Sequence, residues 1–191
     1  MRLTKLLLSF ICVILLVSCG GNDGAKGKIE ISIELKSAPV VNADSAYAFV
    51  QAQVDFGPRV PNTQAHRDAS KWFKKKFEAY GASVAMQSFT DYVYDGKKVE
   101  LTNVIASFYP EKKKRILLAA HWDTRPFGDR DAENTYAAID GANDGGSGVG
   151  VLLEVARLLS ENQAPDVGVD IILFDGEDWG EHNEEAGKQL P

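Results

Sequence analysis

The sequence predicts an α/β fold, in which short apolar strands alternate with a helix. Two apolar runs, 116–120 and 167–174, are too short for helices and read as buried strands. Between them, residues 149–159 carry apolar side chains at helical spacing. A strand, a helix and a second strand in this order favour an α/β sandwich in which both strands run parallel and end at one edge of the sheet.

Length and composition are typical of one globular domain with appendages. The chain has 191 residues, of which 45% are hydrophobic and 25% charged, whereas domains cluster near ~100–150 residues. The formal net charge is −6. Nucleic-acid binding requires a clustered basic surface, so we expect no nucleic-acid partner.

The first 19 residues have the features of an export signal. Arg2 and Lys5 precede an apolar run over 6–17, which is shorter than the ~20 residues needed to span a bilayer. The run ends in Leu-Val-Ser-Cys at Cys19, which resembles the lipobox of bacterial lipoproteins. We therefore expect Cys19 to be lipidated and to anchor the protein to a bacterial envelope membrane, facing the periplasm or the surface. An ordinary signal peptide with a chance cysteine is the alternative.

Residues 20–41 are predicted to be a flexible tether, because they begin with a glycine-rich polar stretch. The catalytic domain is then expected over 42–191. Its first elements are a helix over 42–54 and a second helix between Thr63, a possible cap, and Gly81.

The second helix carries an apolar stripe that is predicted to face the core. The stripe consists of Ala65, Ala69, Trp72, Phe73, Phe77 and Tyr80. His66 lies on the same helix, and we expect it to be an ordinary surface histidine rather than a ligand.

From Ser83 the hydrophobic period changes to two, and Asp95-Gly96 indicates a β-hairpin. Residues 104–108 and 115–120 are predicted to form another strand pair around a short turn. The second of these strands is apolar over 116–120, as expected for a strand that is covered on both faces.

Charged residues follow both of the predicted parallel strands. His121 and Asp123 come directly after the first, and residues two apart in an extended chain can share a target. Asp175, Glu177 and Asp178 crowd into four positions after the second. Carboxylates this close repel one another unless a cation or a proton separates them, which suggests a metal. A solvated acidic turn is the alternative.

A glycine-rich segment, 140–148, precedes the helix predicted over 149–159. Asp144 is expected near the helix N-cap, where free backbone amides favour a carboxylate, and a simple capping role is the alternative. A dinucleotide site is rejected, because its glycine motif follows the strand directly, whereas about twenty residues separate Ala120 from Gly141.

The predicted topology brings the polar residues to one edge of the sheet. They are His121, Asp123, Asp144, Glu177 and Asp178. Carboxylate and imidazole ligands without cysteine suit zinc among other divalent ions.

Three motifs resemble, in order and spacing, those of the zinc aminopeptidase-like superfamily that includes the glutaminyl-peptide cyclotransferases. The motifs are His-Trp-Asp at 121–123, Gly-Ala-Asn-Asp at 141–144 and Phe-Asp-Gly-Glu-Asp at 174–178. The stretches 56–61 and 121–126 are also similar to bacterial members of the cyclotransferase branch. The resemblance extends from about residue 42 to 179, and the three motifs are specific only when taken together.

The resemblance implies a three-layer α/β/α sandwich with a mixed, largely parallel sheet. It assigns Asp144 and Asp178 as zinc ligands and Glu177 as the general acid and base. Many relatives have Glu-Glu where this chain has Glu177-Asp178. The family's third ligand is a histidine far downstream, a position that His182 does not occupy, so we expect a sequence that is truncated at its C-terminus, with an incomplete sheet.

For the cyclotransferase, the resemblance implies that zinc polarises the side-chain amide of an N-terminal glutamine, so that peptides and proteins that begin with glutamine are the partners. The α-amine attacks, ammonia leaves and pyroglutamate remains. The alternative is a zinc aminopeptidase, in which Asp144 bridges two zincs and His121 completes one site. His121 and Asp123 are therefore candidates for supporting residues or for a second metal. A non-catalytic binding lipoprotein is a third possibility, disfavoured because the motif carboxylates are intact.

Overall fold

The computed structural model describes residues 37–129 and 131–180. Cys19, most of the tether and His182 lie outside the described residues, so the expectations about them stay predictions. Within the described ranges, no helix is long and apolar enough to cross a membrane.

Three helices and four strands make up the described part of the chain. They are α1 (Ala43–Val54), α2 (Gln64–Ala79), β1 (Ser83–Tyr92), β2 (Lys98–Phe108), β3 (Arg115–His121), α3 (Gly146–Glu161) and β4 (Gly168–Phe174). The predicted helix starts are confirmed, because Asn42 and Thr63 accept hydrogen bonds from the first turns of α1 and α2. Gly81 follows α2 with a φ of +85°, as expected for a C-terminal glycine.

The strands form one mixed sheet in the order β1-β2-β4-β3. β1 and β2 are antiparallel, as the hairpin signal predicted, and β2 and β4 are antiparallel too. β3 and β4 are parallel neighbours, with His121 opposite Phe174 at their C-terminal ends. The α/β fold class and the parallel pair are therefore confirmed.

The predicted pairing of β2 with β3 is wrong, because β4 lies between them. β4 carries three deeply buried apolar residues on one face, and the centre of a sheet is where such a strand loses most contact with water. The expectation that β3 is covered on both faces also fails within the described residues. Ile116 and Leu117 are 46% and 59% exposed, because β3 is the edge strand of the described sheet.

The helices cover one face of the sheet and form the core with it. Its largest members are Phe49, Phe73, Phe77, Phe108, Trp122, Val149, Leu152, Leu153, Val169, Ile171 and Leu173. The described residues thus supply the sheet and one helical layer of the expected three-layer sandwich.

Helix α3 begins at Gly146, three residues before the start that the apolar spacing predicted. Glycines inside the helix permit close packing. A Cβ on Gly150 would lie 2.7 Å from Cγ2 of Val50 in α1, and a Cβ on Gly148 would lie 3.1 Å from the Cβ of Ala120 in β3. This approach brings the segment before α3 against the end of β3.

A buried carboxylate joins α3 to the start of α1. Oε1 of Glu154 accepts a hydrogen bond from the backbone N–H of Asn42 at 2.8 Å, and Arg157 donates to both carboxylate oxygens at 2.6 and 2.7 Å. The hydrogen bonds from Arg157, together with that from Asn42, lower the pKa of Glu154 to about 2.

We predict that Glu154→Gln lowers the free energy of unfolding by about 1–3 kcal/mol at pH 7, the usual range for hydrogen bonds to a charged group. Since the pKa of Glu154 is lowered on folding, its contribution is fully present above the ordinary glutamate value of about 4.3 and is lost as the pH falls towards 2. Urea unfolding between pH 7 and pH 3 should therefore show the difference from the parent protein narrowing below about pH 4.5.

Glu161→Gln is the matched control, because Glu161 also pairs with Arg157 but its side chain is 56% exposed. It should cost much less stability than Glu154→Gln at pH 7. Equal losses in the two variants would contradict a special contribution of the buried carboxylate.

Candidate active site

The polar residues predicted to converge lie together at the C-terminal ends of β3 and β4. His121 is the last residue of β3. Nε2 of His121 lies 2.9 Å from Oδ1 of Asp144, and its Nδ1 lies 3.5 Å from Oδ1 of Asp123 and 3.7 Å from Oε2 of Glu177. One imidazole therefore contacts carboxylates from all three sequence motifs.

The charge of His121 is set by these carboxylates. Interaction with Asp123 raises the pKa of His121 to about 9, with smaller contributions from Glu177 and Asp144, while partial burial opposes the increase. Nδ1 is nevertheless buried without a hydrogen-bond partner, because 3.5 Å is too long for a good bond to Asp123.

Asp123 holds the turn that follows β4. Its side chain is fully buried, and its two oxygens accept the backbone N–H groups of Glu177 at 3.2 Å and Asp178 at 3.0 Å. Arg125 holds the same turn from outside, donating to the backbone carbonyl of Asp178 at 2.9 Å. Both carboxylate oxygens of Asp123 are thus engaged by backbone, which favours a supporting role over direct metal binding.

Glu177 and Asp178 are adjacent but differ in exposure. The side chain of Glu177 is 63% exposed, whereas that of Asp178 is 14% exposed. Burial raises the pKa of Asp178 to about 6, and the negative charges of Asp144 and Asp123 contribute to the increase. The carboxylate of Glu177 is thus accessible to a ligand in solution, whereas that of Asp178 lies largely inside the protein within the field of two other carboxylates.

Asp175 does not join this group, although the sequence places it in the same acidic cluster. Both of its oxygens lie within 2.9 Å of Nε2 of His66, and Oδ2 also accepts the backbone N–H of Thr102 at 2.6 Å. The expectation that His66 is a surface residue is wrong, because its side chain is only 5% exposed. A histidine within a charged helix gave no sequence signal for this contact.

Arg59 is a central residue that the sequence reasoning did not single out. Its guanidinium is fully buried and donates to four backbone carbonyls. The acceptors are Gln53 at 3.2 Å, Trp122 at 3.1 Å, Asp140 at 2.8 Å and Gly141 at 2.9 Å. Arg59 thus binds the segments on both sides of the site, and only the similarity of 56–61 to bacterial cyclotransferases pointed to it.

The segment around Asp144 follows a path that requires glycine. Gly141 has a φ of +60°, and a Cβ there would lie 2.3 Å from Cγ2 of Thr124 and 2.5 Å from the backbone oxygen of Asp144. The N-cap of α3 is Gly145, so Asp144 lies next to the N-cap as predicted; the helix has no side-chain cap hydrogen bond, and the alternative of a simple capping role for Asp144 is wrong. A Cβ at Gly145 would lie 2.7 Å from the backbone oxygen of His121, which explains why a small residue is needed there.

An open groove of about 590 Å³ lies beside the carboxylates of Asp144 and Asp178. Its lining includes Asp144, Asp178 and Arg125, together with the apolar residues 137–139. This volume is within the ~300–1,000 Å³ of ordinary ligand sites.

The donor chemistry of the site suits a divalent cation. Asp144 and Asp178 repel each other, which is part of the reason for the raised pKa of Asp178, and a shared cation would relieve this repulsion. Carboxylate oxygen and histidine nitrogen are both zinc ligands. Within residues 37–129 and 131–180, however, no three histidine, cysteine or acidic side chains are arranged to hold a metal. The described residues therefore fit a zinc site in part.

Known proteins share this fold and part of this sequence. Residues 103–182 match the family model for peptidase family M28. The chain is similar to the solved glutaminyl cyclase of Bacteroides thetaiotaomicron, with 50% identity, 78% of this chain and 54% of that chain covered, and a TM-score of 0.74. For the glutaminyl cyclase of Tannerella forsythia the identity is 46%, with 80% and 53% coverage and a TM-score of 0.74.

A third solved structure is described as a Zn-dependent exopeptidase from Parabacteroides distasonis. It is 50% identical, with 76% of this chain and 50% of that chain covered, and a TM-score of 0.73. This chain spans about half the length of the three solved relatives. The comparisons confirm the resemblance to bacterial glutaminyl cyclases within the zinc aminopeptidase-like superfamily.

We predict that Gly141→Ala destabilises the protein and displaces Asp144, because the added methyl group has no space. Gly96→Ala is the matched control: Gly96 has a φ of +80° in the hairpin turn, but nothing lies within 4 Å of its Cβ position. The control should cost about 1–2 kcal/mol for the left-handed backbone, and Gly141→Ala about 1–3 kcal/mol more for overpacking. Urea unfolding of both variants provides the measurement, and equal losses would show that Thr124 and Asp144 tolerate the methyl group.

Proposed function

We propose that this chain provides the general base and two metal ligands of a zinc-dependent glutaminyl cyclase, which converts an N-terminal glutamine to pyroglutamate with release of ammonia. The observation that carries this proposal is the pair Glu177 and Asp178. An exposed carboxylate stands beside a largely buried one, which lines an open groove together with Asp144. The similarity to two bacterial glutaminyl cyclases supports the same assignment.

Asp144 and Asp178 would hold the zinc, and the resemblance implies a histidine as the third ligand. When bound, zinc would act as a Lewis acid on the side-chain carbonyl of the substrate glutamine. With the cation present, both aspartates are expected to be ionised, since its charge compensates their repulsion.

Glu177 would transfer the proton. Its exposed carboxylate can accept a proton from the substrate α-amine as that nitrogen attacks the side-chain carbonyl. It can then deliver the proton to the departing nitrogen, so that ammonia leaves and the lactam ring remains. Asp123 supports this role because it fixes the backbone of Glu177 and Asp178, and thereby the direction in which both side chains leave the turn.

The groove beside the ligands would receive the substrate N-terminus. Asp144 and Asp178 lie at its wall, and the apolar residues 137–139 offer contact area for the aliphatic part of a glutamine side chain. The rest of the lining is mostly polar, with Asp129, Asp131 and Asn134, so the groove combines an apolar patch with acidic groups that suit the positively charged end of a peptide.

A zinc aminopeptidase is the second candidate. The close contact of His121 with Asp144, 2.9 Å between Nε2 and Oδ1, favours it, since a histidine and a bridging carboxylate are suited to hold a second metal. One of the similar solved structures is described as a Zn-dependent exopeptidase. In that case Glu177 would deprotonate a water molecule rather than an amine.

We further propose that Cys19 anchors the protein to an envelope membrane, as the basic start, the short apolar run and the Leu-Val-Ser-Cys sequence suggest. Cys19→Ala should leave the precursor unprocessed at this position and remove the protein from the membrane fraction. If fractionation and processing are unchanged in the variant, the lipid anchor is disproved.

The two enzyme activities can be separated by the products of the whole protein. We predict that a peptide beginning with glutamine loses ammonia without losing a residue, and that one beginning with alanine or leucine is unchanged. Mass spectrometry of both peptides, with the zinc content per chain, provides the test. Release of the first amino acid with two zincs per chain would establish the aminopeptidase instead.

The roles of the two adjacent carboxylates can be separated by substitution. Glu177→Gln should keep the zinc and lower kcat by roughly 10²- to 10⁴-fold, the usual contribution of a positioned general base. Asp178→Ala should lose both zinc and activity. Glu133→Gln, which removes one exposed carboxylate outside the groove lining, is the control and should change neither. Turnover by Glu177→Gln at the parent rate would exclude Glu177 as the base.

A further inference from the structure

A second acidic contact lies behind the turn that carries Glu177 and Asp178. Nε2 of His66 lies 2.9 and 2.8 Å from the two oxygens of Asp175. The side chains are 5% and 0% exposed, so the pair is shielded from water. Neither the proton transfer nor the metal site described above uses it.

The pair is joined to β2 as well as to α2. Oδ2 of Asp175 accepts the backbone N–H of Thr102 at 2.6 Å, and the backbone N–H of Asp175 donates to Oδ1 of Asn103 at 2.9 Å. Asp175 is thus fixed by its side chain and by its backbone at the first position after β4. Gly176 follows with a φ of +80°, and Glu177 is the next residue.

The ring of His66 also contacts the other side of the site. It stacks on Trp122, with ring centroids 4.4 Å apart and an angle of 21° between the planes. Trp122, which lies between His121 and Asp123 in the sequence, is fully buried. Its backbone N–H donates to the backbone carbonyl of Phe174 at 2.9 Å. His66 therefore contacts the two segments whose relative position determines the geometry of the site.

We propose that His66 and Asp175 are positioning residues, which fix where the turn after β4 begins and thereby place Glu177 and Asp178. The side chain of Asp175 fixes the start of the turn, and the side chain of Asp123 binds the backbone N–H groups of Glu177 and Asp178. Without His66, the buried carboxylate of Asp175 keeps only the N–H of Thr102 as a partner, so the start of the turn is expected to shift while Asp123 and Arg125 still hold its later residues. The link to catalysis rests on the glutaminyl cyclase proposed above, whereas the effect on the turn itself does not.

His66→Leu and His66→Gln distinguish this role from simple packing. Leucine fills space but cannot donate to Asp175, whereas the amide of glutamine can. We expect His66→Leu to lower kcat by roughly 10- to 100-fold, as usual for partners that orient site residues. KM should change less than about twofold, because the groove lining is untouched, and His66→Gln should recover most of kcat.

Glu154→Gln is the control for loss of stability, because it breaks a buried contact in the middle of α3 that involves none of the site residues. It should lower the unfolding temperature but leave kcat unchanged well below that temperature. If His66→Leu does not fold, Asp175→Asn replaces it, since it keeps the side-chain volume and leaves a single oxygen to accept from both His66 and the N–H of Thr102.

Amide hydrogen exchange of the metal-free protein gives a readout that needs no activity. The N–H groups of Glu177 and Asp178 should exchange at least about 10-fold faster in His66→Leu than in the parent protein. Their exchange rates should not change in Glu154→Gln.

Unchanged exchange in His66→Leu would overturn the proposal even if the parent cyclises glutamine. Equal losses in the leucine and glutamine variants would overturn it as well, because the ring rather than the hydrogen bond would then matter. If exchange is faster in His66→Leu but the parent protein does not cyclise glutamine, only the proposed function is refuted.

Discussion

The buried guanidinium of Arg59 is the interaction on which the arrangement of the site depends. It donates to backbone carbonyls on both sides of the site, at Trp122 and at Asp140 and Gly141. Burial lowers the pKa of Arg59 to about 10, with Asp123 and Asp140 opposing the decrease, so the group remains charged at neutral pH. A buried cation without these acceptors would be very costly, and the segments that supply them are therefore held in place.

Burial divides the acidic residues of the site into different roles. Asp123 and Asp175 are buried and accept hydrogen bonds from backbone and from His66, so their oxygens are engaged inside the protein. Asp144 and Glu177 are largely exposed, at 70% and 63% of their side-chain area. Asp178 lies between these extremes. Residues of one chemical type thus support the turn from the interior or remain accessible to a ligand at the surface, according to where the chain places them.

The sequence predicted the helices, the hairpin and the parallel pair because these depend on local periodicity and on caps such as Thr63. It also predicted which polar residues meet, since parallel strands end at the same edge. It did not predict that β4 would separate β2 from β3, because strand order depends on contacts far apart in the chain. Arg59 and His66 were missed for the same reason. All but one of their partners, three backbone carbonyls and a carboxylate, lie 63 to 109 positions away, and neither residue carries a pattern of its own.

The acidic cluster after β4 shows how one glycine changes the outcome of a strand-based argument. In a continued strand, Asp175 and Glu177 would point to the same side, because side chains alternate with a period of two. Gly176 ends this alternation with a φ of +80°, a conformation that other residues rarely adopt. Asp175 is consequently buried against His66, whereas Glu177 emerges into solvent. Three carboxylates in four positions therefore do not converge on one point: the first is paired with His66, the second is exposed, and the last lines the groove together with Asp144.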